Sequence, residues 1–458
     1  MKNYIKSGLP YFKRMLLIAV PIMIQSGITN FVSLIDNIMV GRVGTLQMTG
    51  VSIVNQIIMV FNLCVFGAMS GAGIFTAQFF GKKDNDGIRS TVQYKIIAAF
   101  VISAFGIGAL VTSGDFLISA YLQGEGNAED ISLVMNYSKS YLKIMLMGVL
   151  PFALSNVYSS SLRETSDRII PMIATVSAVF TNLFLNYCLI FGNFGFPKWG
   201  IEGAAVATVI ARFVELFILM VWAHSHTKKY PFIKKLFTKY TMTRQDIRHF
   251  TVITLPLIIN ETLWAGGIAF LNQCYSTRGL DVVAAINIVS TLSNVFNVIF
   301  ISSGSAIGII MSQLLGAKQT EEAEKSSMKL IWFSVFLATV MGVVMSLFSP
   351  FFPEIYKTTD TVRHMATQLL LVASAFMPVH AFTNGSYFTL RSGGKTVMTF
   401  LFDSGFVWLC SVPVAFVLSR FTPLAIIPLY AVVLALDLIK CLLGYVFVKK
   451  GVWLNTVV

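Results

Sequence analysis

Long apolar runs recur from one end of this chain to the other, and they limit its fold more than any other feature. Leu16–Ile35, Ile97–Val111 and Leu424–Leu436 are apolar nearly all round, not along one stripe, which suits helices whose solvent is lipid. Of the 458 residues, 55% are hydrophobic and 12% charged; a soluble protein carries about twice that share of charge. A water-soluble core also stops growing beyond roughly 250–300 residues. A membrane β-barrel would show segments of about ten residues alternating apolar and polar, and these runs do not alternate.

Twelve spans emerge, each near or above the ~20 residues that cross hydrocarbon. They lie near 15–40, 51–80, 96–113, 144–162, 169–191, 204–222, 249–276, 282–315, 330–352, 365–390, 396–419 and 422–448. Charged or turn-forming connectors such as Gly81–Asp86, Gly124–Asp130, Arg163–Arg168 and Gly192–Gly203 separate them. With both termini in the cytoplasm, 24 of the 34 lysines and arginines fall on the cytoplasmic side and eight outside. The external eight are Arg42, Lys139, Lys143, Lys198, Arg278, Lys357, Arg363 and Arg420. That bias follows the positive-inside rule and predicts a multi-pass protein of the cell membrane. The first run is long, interrupted by Pro21 and followed by further spans, so it does not read as a cleaved signal peptide. The +13 formal charge is spread over short connectors, not gathered in an aromatic-basic stripe, which argues against nucleic acid. All five cysteines (Cys64, Cys188, Cys274, Cys410, Cys441) lie in apolar runs and read as reduced packing residues.

The longest basic connector, His224–Phe250, falls at the middle of the chain and invites a search for a repeat. Shifting the sequence by 235 residues aligns 21–83 with 256–318 without a gap, and 15 of 63 positions are identical. Pro21, Asn37, Gly44, Phe61, Asn62, Ser70, Gly73, Gln78, Gly81 and Lys83 meet Pro256, Asn272, Gly279, Phe296, Asn297, Ser305, Gly308, Gln313, Gly316 and Lys318. Further on, Asn156 with Leu162-Arg163 matches Asn384 with Leu390-Arg391. An even number of spans per half makes the repeat parallel, about an axis along the membrane normal. The expected fold is an all-α integral membrane protein, with two pseudo-symmetric six-helix bundles around a central cleft. Residues 1–223 form the N-lobe, 224–248 a basic cytoplasmic linker, and 249–458 the C-lobe.

Ionisable side chains inside a membrane are expensive, at least about 2.5–3.5 kcal/mol each on insertion scales, so each is a functional candidate. The spans hold Asp36, Arg212, Glu215, Glu261, Asp403, Asp437 and Lys440. Asp437 with Lys440, and Arg212 with Glu215, stand three apart and are expected to neutralise each other along one helix. Asp403 opens span 11 and lies either at the interface or within the bundle. Asp36 and Glu261 have no opposite charge within helical reach. Asp36 follows the kink-prone Pro21 and sits among Asn30, Ser33 and Asn37; Glu261 follows Pro256. An unpaired carboxylate can take up and release a proton, or it can join amide and hydroxyl oxygens in holding a hard cation such as Na⁺. Asn182 and Asn186, four apart on span 5, and Thr208 on span 6 supply such oxygens. Interhelical hydrogen-bond glue is the plainer role open to the asparagines.

The run from Pro21 to Asp36-Asn37-Ile38-Met39-Val40-Gly41-Arg42-Val43-Gly44 resembles the first-helix signature of the multidrug and toxin extrusion (MATE) family. Thr181-Asn182-Leu183-Phe184-Leu185-Asn186-Tyr187-Cys188, then Gly203-Ala204-Ala205-Val206-Ala207-Thr208, resemble its later motifs, as do Leu162-Arg163 and Leu390-Arg391-Ser392-Gly393-Gly394. The likeness runs over essentially the whole chain. It implies cation-coupled (H⁺ or Na⁺) export of amphipathic, often cationic organic compounds by alternating access, with no cofactor and as a monomer. By resemblance, Asp36 is the N-lobe carboxylate that carries the coupling ion, and Asn182, Asn186 and Thr208 its network. The archaeal branch has a second aspartate where this chain has Asn186. Glu261 resembles the C-lobe acid of the sodium-coupled bacterial branch; the further aspartate that branch has on span 10 is missing here, and His380 or Asn384 lies in that neighbourhood. A flippase for lipid-linked saccharides, which shares this fold, is the alternative; only Arg212 could serve it as a cleft arginine. An intramembrane enzyme would need a constellation such as His-Glu-x-x-His, and none of His224, His226, His249, His364 and His380 belongs to one.

Overall fold

The computed structural model describes residues 11–122, 128–356 and 358–458. The N-terminal Lys2 and Lys6, most of the connector 124–130, and Lys357 lie outside the described residues. Among the described residues, twelve helices are long and apolar enough to cross a membrane: α1 Tyr11–Gly41, α2 Thr45–Lys82, α3 Asn85–Tyr121, α4 Glu129–Glu164, α5 Ile169–Phe191 and α6 Ile201–Ser225, then α7 Arg244–Ser276, α8 Leu280–Gly316, α9 Thr320–Phe348, α10 Asp360–Ser392, α11 Thr396–Phe421 and α12 Ile426–Lys449. No strand occurs among the described residues. A helix satisfies every backbone group within the segment, the condition that hydrocarbon imposes. Large apolar side chains stay on the outside, with Phe105 79%, Leu409 75% and Phe217 68% exposed, as a lipid-facing surface requires.

The described chain packs as two compact units. One holds the residues up to Met23, Ala77–Asp84 and Ile259–Val458; the other holds Ile24–Thr76 and Asn85–Ile258. In the first unit, Met15, Ile18 and Ala19 of α1 share a core with Ile307, Ile310 and Leu314 of α8 and Leu330 of α9. In the second, Val54, Ile57, Leu110, Tyr141, Ile190 and Ala205 draw α2 to α6 together. α1 changes unit two residues after Pro21 and α7 two residues after Pro256, the proline pair that the 235-residue repeat equates.

The repeat is also visible in local geometry. Lys83 and Lys318 close α2 and α8 in left-handed backbone, with φ +65° and +59°. In each case the next residue donates five positions back, Asp84 to the Phe79 carbonyl at 2.9 Å and Gln319 to Leu314 at 3.0 Å. Such pairs stop a helix by satisfying its last carbonyls. Beside these stops, a methyl group on Gly316 would sit 1.9 Å from the Gln78 carbonyl oxygen, and one on Gly81 would sit 2.0 Å from that of Gln313. The glycines are there because two backbones touch. The duplicated Leu-Arg motif marks a stop of the same kind: Ser166 (φ +72°) follows Arg163 and Gly394 (φ +73°) follows Arg391, each donating to its arginine's carbonyl.

Two expected neutralisations do not form. Lys440 reaches across to Asp403 at 2.6 Å, while Asp437 pairs with His380 at 3.1 Å. Arg212 donates to the Gly148 carbonyl and lies over the Phe152 ring, and Glu215 accepts from Thr175. Residues three apart share a helix face, but in lipid that face meets another helix whose polar groups compete for the charge. Asp403 lies inside the packed unit and not at its edge. A π-turn at Leu401–Gly405 presents it, with the Asn260 side chain accepting from the Ser404 N–H at 3.3 Å. A side chain inserted into the helical ladder is a recognised cause of such a turn.

Candidate functional site

Asp36 on α1, Asn182 and Asn186 on α5, and Thr208 on α6 meet in the second unit. α5 is rich in β-branched and aromatic residues outside and carries the two asparagines on one face, both buried. Asn186 Nδ2 donates to Asp36 Oδ1 at 2.8 Å and to Asn182 Oδ1 at 3.2 Å; Asn182 Nδ2 donates to Thr208 Oγ1 at 3.2 Å, and Thr208 to the Ala204 carbonyl at 3.0 Å. In that orientation the Asn182 oxygen, which accepts from Asn186, also faces Asp36 Oδ2. With its amide turned over, Asn182 instead donates to Asp36 Oδ2 at 2.8 Å and accepts from Thr208 Oγ1 at 3.2 Å. Turned over, the amide gives up its bond from Asn186, and the two amide nitrogens stand 3.2 Å apart, each donating to one carboxylate oxygen of Asp36. Asn186 Oδ1 is buried with no hydrogen-bond partner, which leaves one spare oxygen in the cluster.

The other unit holds a second polar group. Glu261 Oε1 accepts from the Tyr387 hydroxyl at 3.2 Å, and that hydroxyl accepts from Asn260 at 3.2 Å and from Arg391 at 3.5 Å. Asn260 Nδ2 also donates to Asp403 Oδ2 at 3.2 Å, so Glu261, Tyr387, Asn260, Asp403 and Lys440 form one network. His380 does not enter it, being held by Asp437. Asn384 Oδ1 is buried without a hydrogen-bond partner close to Gly304. The sequence reading missed Tyr387, although Tyr387 stands three residues beyond Asn384 on the same helix. It also missed Lys95 and Glu164, which it placed in connectors. Lys95 is fully buried and bonds Glu164 at 2.6 Å with Ser160 and Ser161 alongside. A buried pair of this kind demands that every remaining proton be satisfied, which the serines do.

Residues 21–188 and 256–417 match the family model MatE. Across 99% of this chain and 96% of its own length, a protein of Thermotoga maritima named probable multidrug resistance protein NorM is 24% identical. The probable multidrug resistance protein YoeA of Bacillus subtilis is 25% identical over 97% of this chain and 96% of its own. Among solved structures, an outward-facing multidrug resistance MATE family transporter of the MOP superfamily covers 96% of this chain and 95% of its own, with a TM-score of 0.87 at 17% identity. At that identity the likeness is one of fold. The two matched stretches of the family model begin at Pro21 and Pro256, the same two positions that the internal repeat pairs. The chain is thus a twelve-helix membrane transporter, not an enzyme, and it belongs to the MatE family, the multidrug and toxin extrusion transporters.

Proposed function

We propose that this transporter exports amphipathic, often cationic organic compounds across the cell membrane in exchange for a cation bound at Asp36. The observation that carries the reading is the Asp36 carboxyl within a span, bonded by the Asn186 amide at 2.8 Å with Asn182 and Thr208 beside it. An acid inside a span is costly when charged, and one held there by neutral amides can take up and release a proton. The proton is accordingly the coupling ion we favour. The spare Asn186 oxygen favours a second reading, Na⁺ held by Asp36 with amide and hydroxyl oxygens. The names of the NorM and YoeA relatives support drugs as the exported class. Pro21 and Pro256 would let α1 and α7 bend as the two repeat halves open alternately to each side. Both termini and the 224–248 linker lie in the cytoplasm on this reading, and a single chain suffices.

The test is substrate efflux from proteoliposomes under proton and sodium gradients imposed separately. Wild-type protein should pump with one gradient, and Asp36→Asn, which keeps the shape but removes the exchangeable charge, should lose that pumping while still inserted and folded. Pumping by Asp36→Asn at the wild-type rate would move the coupling site elsewhere.

A further inference from the structure

The segment joining α6 to α7 is folded, and its fold leaves a surface that the transport reading does not use. Between His226 and Thr243 the sequence has five lysines and neither aspartate nor glutamate. One side of the segment is packed away: Tyr230, Phe232, Ile233, Leu236 and Met242 are each at most 3% exposed. Its backbone is held by two side chains of α3. The Arg89 guanidinium donates to the Phe232 and Lys234 carbonyls at 3.2 Å each, and Gln93 donates to those of Leu236 and Lys239 at 2.8 Å each. Gln93 Oε1 in turn accepts the Thr241 N–H at 3.1 Å. Asp167, in the loop between α4 and α5, accepts from Lys229 and Tyr230.

The opposite side carries Lys228, Lys234, Lys235 and Lys239, all exposed, Lys239 also pairing with the exposed Asp86 of α3 at 3.3 Å, with Phe237, stacked on His224, and Tyr240 standing out among them at 67% and 65% exposure. The positive-inside rule accounts for lysines in a loop. It does not account for two largely exposed aromatic rings between them, nor for a backbone pinned so that they face outward. The segment begins one residue after α6 ends and stops one residue before α7 starts, so it lies at the level where those helices leave the bilayer. Aromatic rings favour the headgroup layer there, and lysines favour anionic phosphate.

We propose that this surface docks anionic phospholipid headgroups, the lysines taking the phosphates while Phe237 and Tyr240 enter the interfacial layer. The lysines hold phosphate as point charges. The pinned backbone keeps them together without an ordering cost at each binding event. The inference needs only a membrane-spanning chain and stands apart from the identity of the coupling ion or the exported compound.

The test is equilibrium binding of short-chain dioctanoyl phosphatidylglycerol and dioctanoyl phosphatidylcholine to the purified full chain in an uncharged detergent. The variant Lys234→Gln/Lys235→Asn/Lys239→Gln is compared; asparagine is used at 235 because the backbone there is left-handed, at φ +64°. Wild-type protein should bind phosphatidylglycerol saturably and in preference to phosphatidylcholine, and more weakly as salt rises. The variant should bind phosphatidylglycerol about 100-fold more weakly. Equal binding of the two lipids by wild type, or equal binding of phosphatidylglycerol by both proteins, would overturn the proposal. Should the variant not fold, the wild-type salt series still decides, since salt-independent binding overturns it.

Discussion

The side chains around Asp36 are neutral amides, and on the proposed reading they are what lets this carboxylate pass an ion across the membrane. Neither Asn182 nor Asn186 carries charge, so each can be removed without discharging the site. Loss of one hydrogen bond or ligand to a charged group is worth about 1.5–3 kcal/mol, so where Na⁺ is the ion held, Asn182→Ala and Asn186→Ala should each weaken apparent Na⁺ affinity about tenfold or more. Glu261→Gln should instead alter turnover or substrate preference, because Glu261 shares its network with Tyr387, Asn260 and Asp403 rather than with the Asp36 cluster. Cation titrations of efflux in the three variants separate these outcomes; unchanged affinity in both asparagine variants, with cation dependence lost in Glu261→Gln, would place the coupling site in the other unit. These residues were legible in the sequence because an amide or acid amid apolar residues has few plain explanations. Their partners were less legible. That Lys440 meets Asp403 and not Asp437 depends on where α11 and α12 cross, and no spacing within α12 encodes it.

Among the helices, the spans were legible to within a few residues wherever apolar residues run to the end, as in α5, read at 169–191 and found at Ile169–Phe191. They were not where polar residues are buried at a helix end. α3 extends from Asn85 to Tyr121, well beyond the 96–113 of the apolar run, because Arg89, Gln93 and Lys95 are buried against the linker and α4 instead of being exposed in a connector. The close approach at Gly81 and Gly316 makes its own prediction. Valine at Gly316 puts its Cβ within 1.9 Å of a backbone oxygen and should cost about 1–3 kcal/mol, read as a lower Tm in detergent. Gly108→Ala, where a methyl meets nothing within 4 Å, should leave Tm unchanged or raise it. The linker's hold on Asp167 predicts an acid effect. Burial alone would raise the Asp167 pKa, but the bonds from Lys229 and Tyr230 outweigh it and set it below the ordinary carboxylate value. A depressed carboxylate stabilises fully above its unfolded pKa, and that contribution fades as pH falls through the folded one. Hydrogen exchange of the linker amides, read at each pH relative to the intrinsic rate, should therefore lose protection as pH falls below the usual aspartate range, and in Asp167→Asn the protection should be low at pH 6 as well.

For the whole molecule the open quantity is direction, since twelve spans fit a membrane in either sense. The charge bias supplies the sign: the linker 224–248 alone holds seven lysines and arginines, whereas the α5–α6 connector 192–200 holds only Lys198. Loops rich in lysine and arginine stay on the cytoplasmic side during insertion. In a background with the five native cysteines replaced, a cysteine at Lys234 and one at Phe194 report the two sides, and both positions are exposed. An impermeant maleimide added to intact cells should label Phe194→Cys and spare Lys234→Cys, and opening the cells should make Lys234→Cys reactive. The reverse pattern would turn the protein over. It would also put Asp36, beyond the midpoint of α1, near the cytoplasmic rather than the external side. The labelling pattern thus fixes which face of the membrane Asp36 lies nearer.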